Sequence, residues 1–218
     1  MDPSGCVIVL YGTDEEKNTI LENLQKLTDH DLAYDSETGL VYIETLHSGD
    51  LQYTEGNKLL IRMINNEDYT TTIVIWDNIV KGNKTQPNSE IKFGICSDST
   101  IYFNPTYYVK VISIDPETGE MYRKSRPAYI SLAHELIHAD RFMRGVALSK
   151  NIEVNNDVTY FTNFLFFKFE HHFNERVLLD ELYTVGIRKS LRAEDITENM
   201  IRAEHGLWLR GAYNDHGE

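Results

Sequence analysis

The sequence predicts an α+β fold, and three observations carry that expectation. Strand-like segments and turns fill the first half of the chain, helical periods begin at Pro127, and no segment repeats. Strands first and helices after is the order expected when helices gather on one side of a sheet. We expect a twisted, mostly antiparallel sheet within residues 1–126 and a helical part over 127–218. With 218 residues and 41% hydrophobic content, both parts fit one domain with a sizeable core.

Each element has its own local warrant. C-V-I-V-L-Y-G at 6–12 is a short apolar run. D-L-A-Y-D-S-E-T-G-L-V-Y-I-E-T at 31–45 has two strand-like arms around a Glu-Thr-Gly turn, which reads as a hairpin. G-N-K-L-L-I-R-M-I-N-N at 56–66 suits a short helix. T-T-T-I-V-I-W-D at 70–77 is β-branched enough for a buried strand. The polar stretch 77–90 reads as a surface loop, and 92–108 as a further strand, an edge one by its alternation. Residues 113–127 are turn-rich and end on Pro127.

Pro127 opens a helix, because its missing N–H falls among donors that are unpaired there anyway. Ile130, Ala133, Leu136 and Ile137 give that helix an apolar face, and Gly145 stops it. Residues 161–186 read as one or two helices ending at Gly186, although the aromatic front of the segment also fits a strand. Residues 193–206 form a last helix, closed by Gly206.

Composition excludes several function classes. A formal charge of −13 repels phosphate backbones, so neither nucleic acid nor an anionic membrane is an expected partner. Cys6 and Cys96 are too few for a disulfide framework and lack the paired spacing of a thiolate zinc site. No apolar run is long enough to span a membrane, and no basic stretch precedes the first apolar run, so no signal peptide is visible.

The stretch S-L-A-H-E-L-I-H-A-D-R-F-M-R-G at 131–145 carries chemistry. Four residues along a helix turn the direction by about 40° and rise about 6 Å, so His134 and His138 project from one face, one turn apart. Two imidazoles so placed can grip one ion, and Glu135 can reach a water on it: the H-E-x-x-H geometry of metallopeptidases. Zinc (Zn2+) is the expected ion, with Glu135 as general base. The alternative, a surface helix with incidental histidines, fits poorly. The flanking Leu132, Ala133, Leu136 and Ile137 make this helix largely buried, where unpaired polar groups are costly.

A catalytic zinc needs a third protein ligand. Arg141 and Arg144 stand where H-E-x-x-H-x-x-G-x-x-H would need glycine and histidine, so the ligand must come from elsewhere. Asp140 is too near the histidines to turn back onto the same ion. Glu170 neighbours His171 and His172, a trio that could bind metal by itself but is more simply a surface group. Glu181 lies among Leu178, Leu179 and Leu182, and an acid set that deep in an apolar pattern wants a cation. Asp180 either orients a histidine N–H or is an exposed acid.

At these residues a family resemblance begins. L-A-H-E-L-I-H-A, D-E-L-Y-T-V-G and T-E-N-M-I-R-A-E-H-G-L-W-L-R-G-A-Y together resemble the NleD-like effector metallopeptidases, as do S-T-I-Y-F-N-P-T and R-P-A-Y-I-S-L-A-H-E-L-I-H-A. The likeness runs over roughly residues 95–213 and implies a zincin-like fold. H-E-L-I-H and D-E-L-Y-T-V-G also resemble the light chains of clostridial neurotoxins, whose corresponding stretch supplies the third zinc ligand from its second acid; carried across, that acid is Glu181. The same resemblance makes Arg210 and Tyr213, three apart in L-R-G-A-Y, the donors that steady the oxyanion. Arg202 competes for that role or partners an acid. D-P-S-G at 2–5 is similar to the end of Rhs-type toxin shells, and a turn explains it equally well.

The expected protein is a gluzincin-like zinc endopeptidase with His134, His138 and Glu181 on the metal, Glu135 as base, and Arg210 and Tyr213 as oxyanion donors. The resemblance implies a delivered effector or toxin acting in the target-cell cytoplasm on a protein substrate, with mitogen-activated protein kinases as the family's known targets. A monomer is expected, and the acidic composition suggests a basic substrate segment. Two rivals are a non-catalytic zinc-binding interaction domain, which would close its site with a fourth ligand such as His171 or His172, and a metal-free vestigial fragment.

Overall fold

A computed structural model of the chain describes residues 7–77, 82–90, 93–148, 152–189 and 192–213. Cys6 and the D-P-S-G stretch lie outside the described residues. In chain order the first elements are β1 (Ile8–Tyr11), α1 (Asp14–Gln25), β2 (Asp31–Tyr34), β3 (Val41–Thr45) and α2 (Thr54–Ile64). There follow β4 (Thr71–Ile75), β5 (Lys84–Pro87), β6 (Ser99–Phe103), β7 (Lys110–Ile114) and β8 (Met121–Ser125). The chain ends with α3 (Ala128–Met143), β9 (Glu153–Phe164), β10 (Phe167–Leu178), α4 (Leu179–Val185) and α5 (Glu198–Glu204).

The fold is α+β, but strands and helices are interleaved rather than divided at residue 127. α1 and α2 lie in the first half. α1 forms because Thr13 and Glu16 make a capping box, each side chain satisfying the other's backbone N–H. The second half contains the longest hairpin, β9–β10, which takes up most of 161–186, where one or two helices are expected; the strand that the aromatic front also fits is what forms. Its sequence alternates: Val158 and Tyr160 are buried while Asp157, Thr159 and Phe161 are not, the period of two that a strand requires. Only 179–185 of that segment is helical.

The first sheet has the order β1-β4-β6-β5 and is mixed, not mostly antiparallel. β4 runs parallel to both β1 and β6, and only β5 reverses direction against β6. Parallel neighbours need crossovers: α1 and α2 lie in the one from β1 to β4, and β5 lies in the one from β4 to β6. β6 is accordingly an inner strand, and the stretch 77–90 holds the edge strand β5 instead of a featureless loop. Local alternation reports burial on one face; it does not report which strand lies alongside. A second sheet, β10-β9-β8-β7, takes in the turn-rich segment 113–127 as the β7–β8 hairpin, and β2–β3 is the expected hairpin at 31–45.

α3 is the hub. It packs on β5 and β6 on one side and on α1, α2 and α5 on others. Ile73, Ile101 and Phe103 from the sheet, Leu24 from α1, Leu59 and Met63 from α2, and Ile201 from α5 bury its apolar residues in one core. Pro127 stands at its N-cap, and Gly145, at φ 62°, lets the chain leave it in a left-handed turn. No helix of the described residues is long and apolar enough to cross a membrane.

Candidate metal centre and its cleft

Because α3 is enclosed, its polar residues are buried: His134 is 3% exposed, Glu135 6% and His138 8%. The two Nε2 atoms lie 3.3 Å apart, and the Glu181 Oε2 lies 3.0 Å from that of His134 and 3.3 Å from that of His138. Donors on one tetrahedral zinc, each about 2.0–2.2 Å from it, stand roughly 3.3–3.6 Å from one another. Three donor atoms at nearly that spacing, all facing one point, fit such an ion. Among the described residues this trio is the one cluster of histidine and acid side chains converging in this way.

Electrostatics agrees with the fit. Burial alone would raise the Glu181 carboxyl, yet the adjacent His138 and His134 hold it well below the usual carboxylate range. Burial would lower His138, but Glu181 and Asp180 carry it well above the ordinary imidazole value. The pocket is arranged for positive charge at its centre.

Glu181 reaches this position because β10 runs directly into α4, whose Leu182 and Val185 are buried. Gly186 closes α4 with φ 88°, and a Cβ there would stand 2.7 Å from the Thr197 Oγ1. Thr197 in turn caps α5, accepting a hydrogen bond from the Met200 N–H. The glycine thus joins the end of one acid-bearing helix to the start of another. Gly186→Ala, strained by its positive φ and crowded against Thr197, should cost about 1–3 kcal/mol of stability, measured as a lower urea midpoint.

Behind the trio each imidazole presents its other nitrogen to a carboxylate. The His134 Nδ1 is 2.9 Å from the Glu198 Oε2, and the His138 Nδ1 is 3.1 Å from the Asp180 Oδ2. An Nδ1–H donated to a carboxylate leaves the Nε2 lone pair free for a metal, the usual support of metal-binding histidines. Asp180 is therefore an orienting acid, not an exposed one; Arg141 also donates to it at 3.0 Å.

Glu198 escapes sequence reasoning altogether. It is fully buried and gathers Arg202 (Nε to Oε1, 2.6 Å), Arg210 (Nη1 to Oε2, 3.2 Å) and Arg126 (Nη1 to Oε2, 3.8 Å). Its sole local signal is the Glu-to-Arg spacing of four with Arg202 on α5. Burial would raise its carboxyl, but Arg202, Arg210 and His134 hold it well below the ordinary range. Arg202 is thereby an acid's partner.

The donors form one wall of a cleft of about 430 Å³ that also takes in Trp76, Lys84, Thr85, Leu178 and Tyr213. Tyr213 faces the cleft, its ring 6.3 Å from that of His134. Arg210 does not line it: 3% exposed, it is bound to Glu198 and to the Ala212 carbonyl, with its guanidinium 4.5 Å from the centre of the Tyr213 ring. Of the two expected oxyanion donors, one reaches the cleft and the other lies beneath it. Asp140 is held by Arg62 and Arg144. His171 and His172 lie on opposite faces of β10, one bonded to Thr162 and the other paired with Asp157, so with Glu170 they form no common site.

An α+β domain with two helix-borne imidazoles and a facing carboxylate in an open cleft has the build of a metal-dependent hydrolase. The chain belongs to the Peptidase M91 family of effector proteins, whose family model matches residues 29–213. No curated protein matches it. Two similar solved structures are botulinum neurotoxin light chains. One is the type C light chain in its apo form with zinc removed, at 18% identity and TM-score 0.35, covering 66% of this chain and 32% of that one. The other is the serotype C1 light chain protease, at 14% identity and TM-score 0.33, covering 78% and 41%. The chain thus spans less than half the length of these light chains.

Proposed function

We propose that this member of a peptidase effector family is a gluzincin-type zinc endopeptidase that cleaves a protein of the cell it enters. The observation that carries the proposal is the triangle of His134, His138 and Glu181, its histidines buried and backed by Asp180 and Glu198. These three side chains would hold the zinc. When bound, zinc supplies Lewis acidity, which makes water nucleophilic near neutral pH and polarises a carbonyl.

The chain's own groups supply the rest. Glu135 takes the proton of the attacking water and returns it to the departing amine. The Tyr213 hydroxyl donates to the oxyanion, and Arg210, stacked under its ring and anchored by Glu198, holds Tyr213 in place. Among the described residues no fourth histidine, cysteine or acid joins the trio, which favours an open catalytic position over a closed structural site.

The substrate is an extended segment of polypeptide. β5 borders the cleft and, among the described residues, pairs with a strand on one side only, so a peptide backbone can pair on the other as an added strand. A basic segment is not called for. Of the cleft acids, Asp180 and Glu181 already face the histidines, and Glu135 is held by Thr85. The experiment is mass spectrometry of target-cell proteins exposed to the wild type and to Glu135→Gln. New protein termini should appear with the wild type and fall by about 10²–10⁴-fold with the variant, which keeps its metal. Identical patterns from the two proteins would sink the proposal; cleavage of a mitogen-activated protein kinase would narrow the substrate.

A further inference from the structure

We propose that Thr85 is a positioning residue: from the edge strand β5 it holds the Glu135 carboxylate, so the strand that borders the substrate also aligns the base. The inference rests on the peptidase reading above and extends it to a residue fifty positions away from Glu135 in sequence.

The Thr85 hydroxyl lies 2.7 Å from the Glu135 Oε2 and 2.9 Å from the Glu135 main-chain oxygen. A hydroxyl has one proton, and the charged carboxylate is the stronger acceptor, so the shared bond leans toward Oε2. Glu135 is almost wholly buried, where an unpaired carboxylate would be costly. Among the described residues no other side chain donates to it, and its Oε1 has no donor at all. The arrangement suits a general base: one oxygen is fixed and the other is left open to receive a proton.

Strand geometry explains why this position, and not its neighbour, reaches the helix. Thr85 is paired with Ile101, whose side chain is fully buried in the core shared with α3. Lys84 is paired with Tyr102 and lies over the rings of Tyr102 and Trp76, on the other face of the sheet. Alternation therefore delivers the threonine to Glu135 and turns the lysine away. On its other side β5 pairs with no strand among the described residues. A peptide laid along that edge would pair with the same short strand that fixes the base. Displacement of a reacting group by about 1 Å can cost on the order of 10²-fold in rate, which sets the scale of what the clamp protects.

The test compares Thr85→Val, which keeps the β-branched shape without the hydroxyl, with Thr85→Ser, which keeps the hydroxyl. The probe is the random-sequence quenched peptide that the wild type cleaves fastest. For Thr85→Val, kcat should fall on the order of 10²-fold with KM little changed, while Thr85→Ser stays close to wild type. Zinc stoichiometry and the resistance of zinc to a chelator should be equal in all three proteins. In the metal-free proteins, amide hydrogen exchange at Thr85 and Gln86 should quicken for valine and not for serine.

A Thr85→Val protein with wild-type kcat would overturn the proposal. So would a serine variant as impaired as the valine one, unchanged β5 exchange, or loss of zinc in the valine variant, which would make Thr85 a support of the metal site. If the wild type and Glu135→Gln both cleave nothing, the peptidase reading fails first and takes this proposal with it; if the wild type cleaves and Thr85→Val matches it, the positioning role alone fails.

Discussion

Glu181→Ala is expected to strip the metal from the protein and with it all measurable hydrolysis. Glu181 supplies the one carboxylate in the converging trio, and among the described residues no other acid converges on the two imidazoles. Asp180 is committed to the His138 Nδ1 and to Arg141 on the far side of the imidazole. Without Glu181 two buried imidazoles face each other 3.3 Å apart, with no negative charge between them to draw a cation in. The loss in metal affinity should exceed the roughly 10–100-fold that removal of an outer supporting carboxylate costs. The fold should survive, since Leu182 and Val185 anchor α4 independently of the glutamate. Elemental analysis after purification, with circular dichroism to verify folding, reads the result. A folded Glu181→Ala protein with one equivalent of tightly held zinc would show that the trio is not the site.

The largest loss of stability should follow Glu198→Ala. The substitution leaves Arg126, Arg202 and Arg210 around a buried space with no carboxylate between them. Removing one member of a buried ionic group typically costs about 3–5 kcal/mol, because the remaining charges stay desolvated and unpaired. For a chain of this size each kcal/mol lowers Tm by about 2–4 °C, so a drop of roughly 6–20 °C is expected in calorimetry. His134 also loses the acceptor that fixes its Nδ1–H, which should weaken zinc binding by about 10–100-fold. A variant that melts with the wild type would mean that solvent reaches these arginines.

Both expectations turn on contacts that differ in how far sequence could foresee them. His134, Glu135 and His138 are legible because their spacing is a property of one helix, and the helix's own apolar residues announce its burial. Gly145 and Gly186 are legible because a left-handed residue after a helix favours glycine wherever the helix packs. The hairpin at 31–45 is legible from a turn and two arms. Glu181 is half legible: an acid amid leucines asks for a cation, but His134 is 47 residues distant. Glu198, 64 residues from His134, and Thr85, fifty from Glu135, carry no such mark; in sequence they are a helix-start acid and a threonine in a polar stretch.

The sequence by itself determined the chemistry that α3 can present, the places where helices stop, and the presence of strands in the first half. Tertiary structure alone decided that β4 runs parallel to β1 and β6, that 153–178 is a hairpin, that Arg210 lies under Tyr213 instead of in the cleft, and which acids stand behind the imidazoles. The reason is one of range. Helical and strand periods, caps and positive-φ turns are settled within a few residues, whereas a buried charge is satisfied by whichever distant group the packing of α3 against β5, α4 and α5 brings to it.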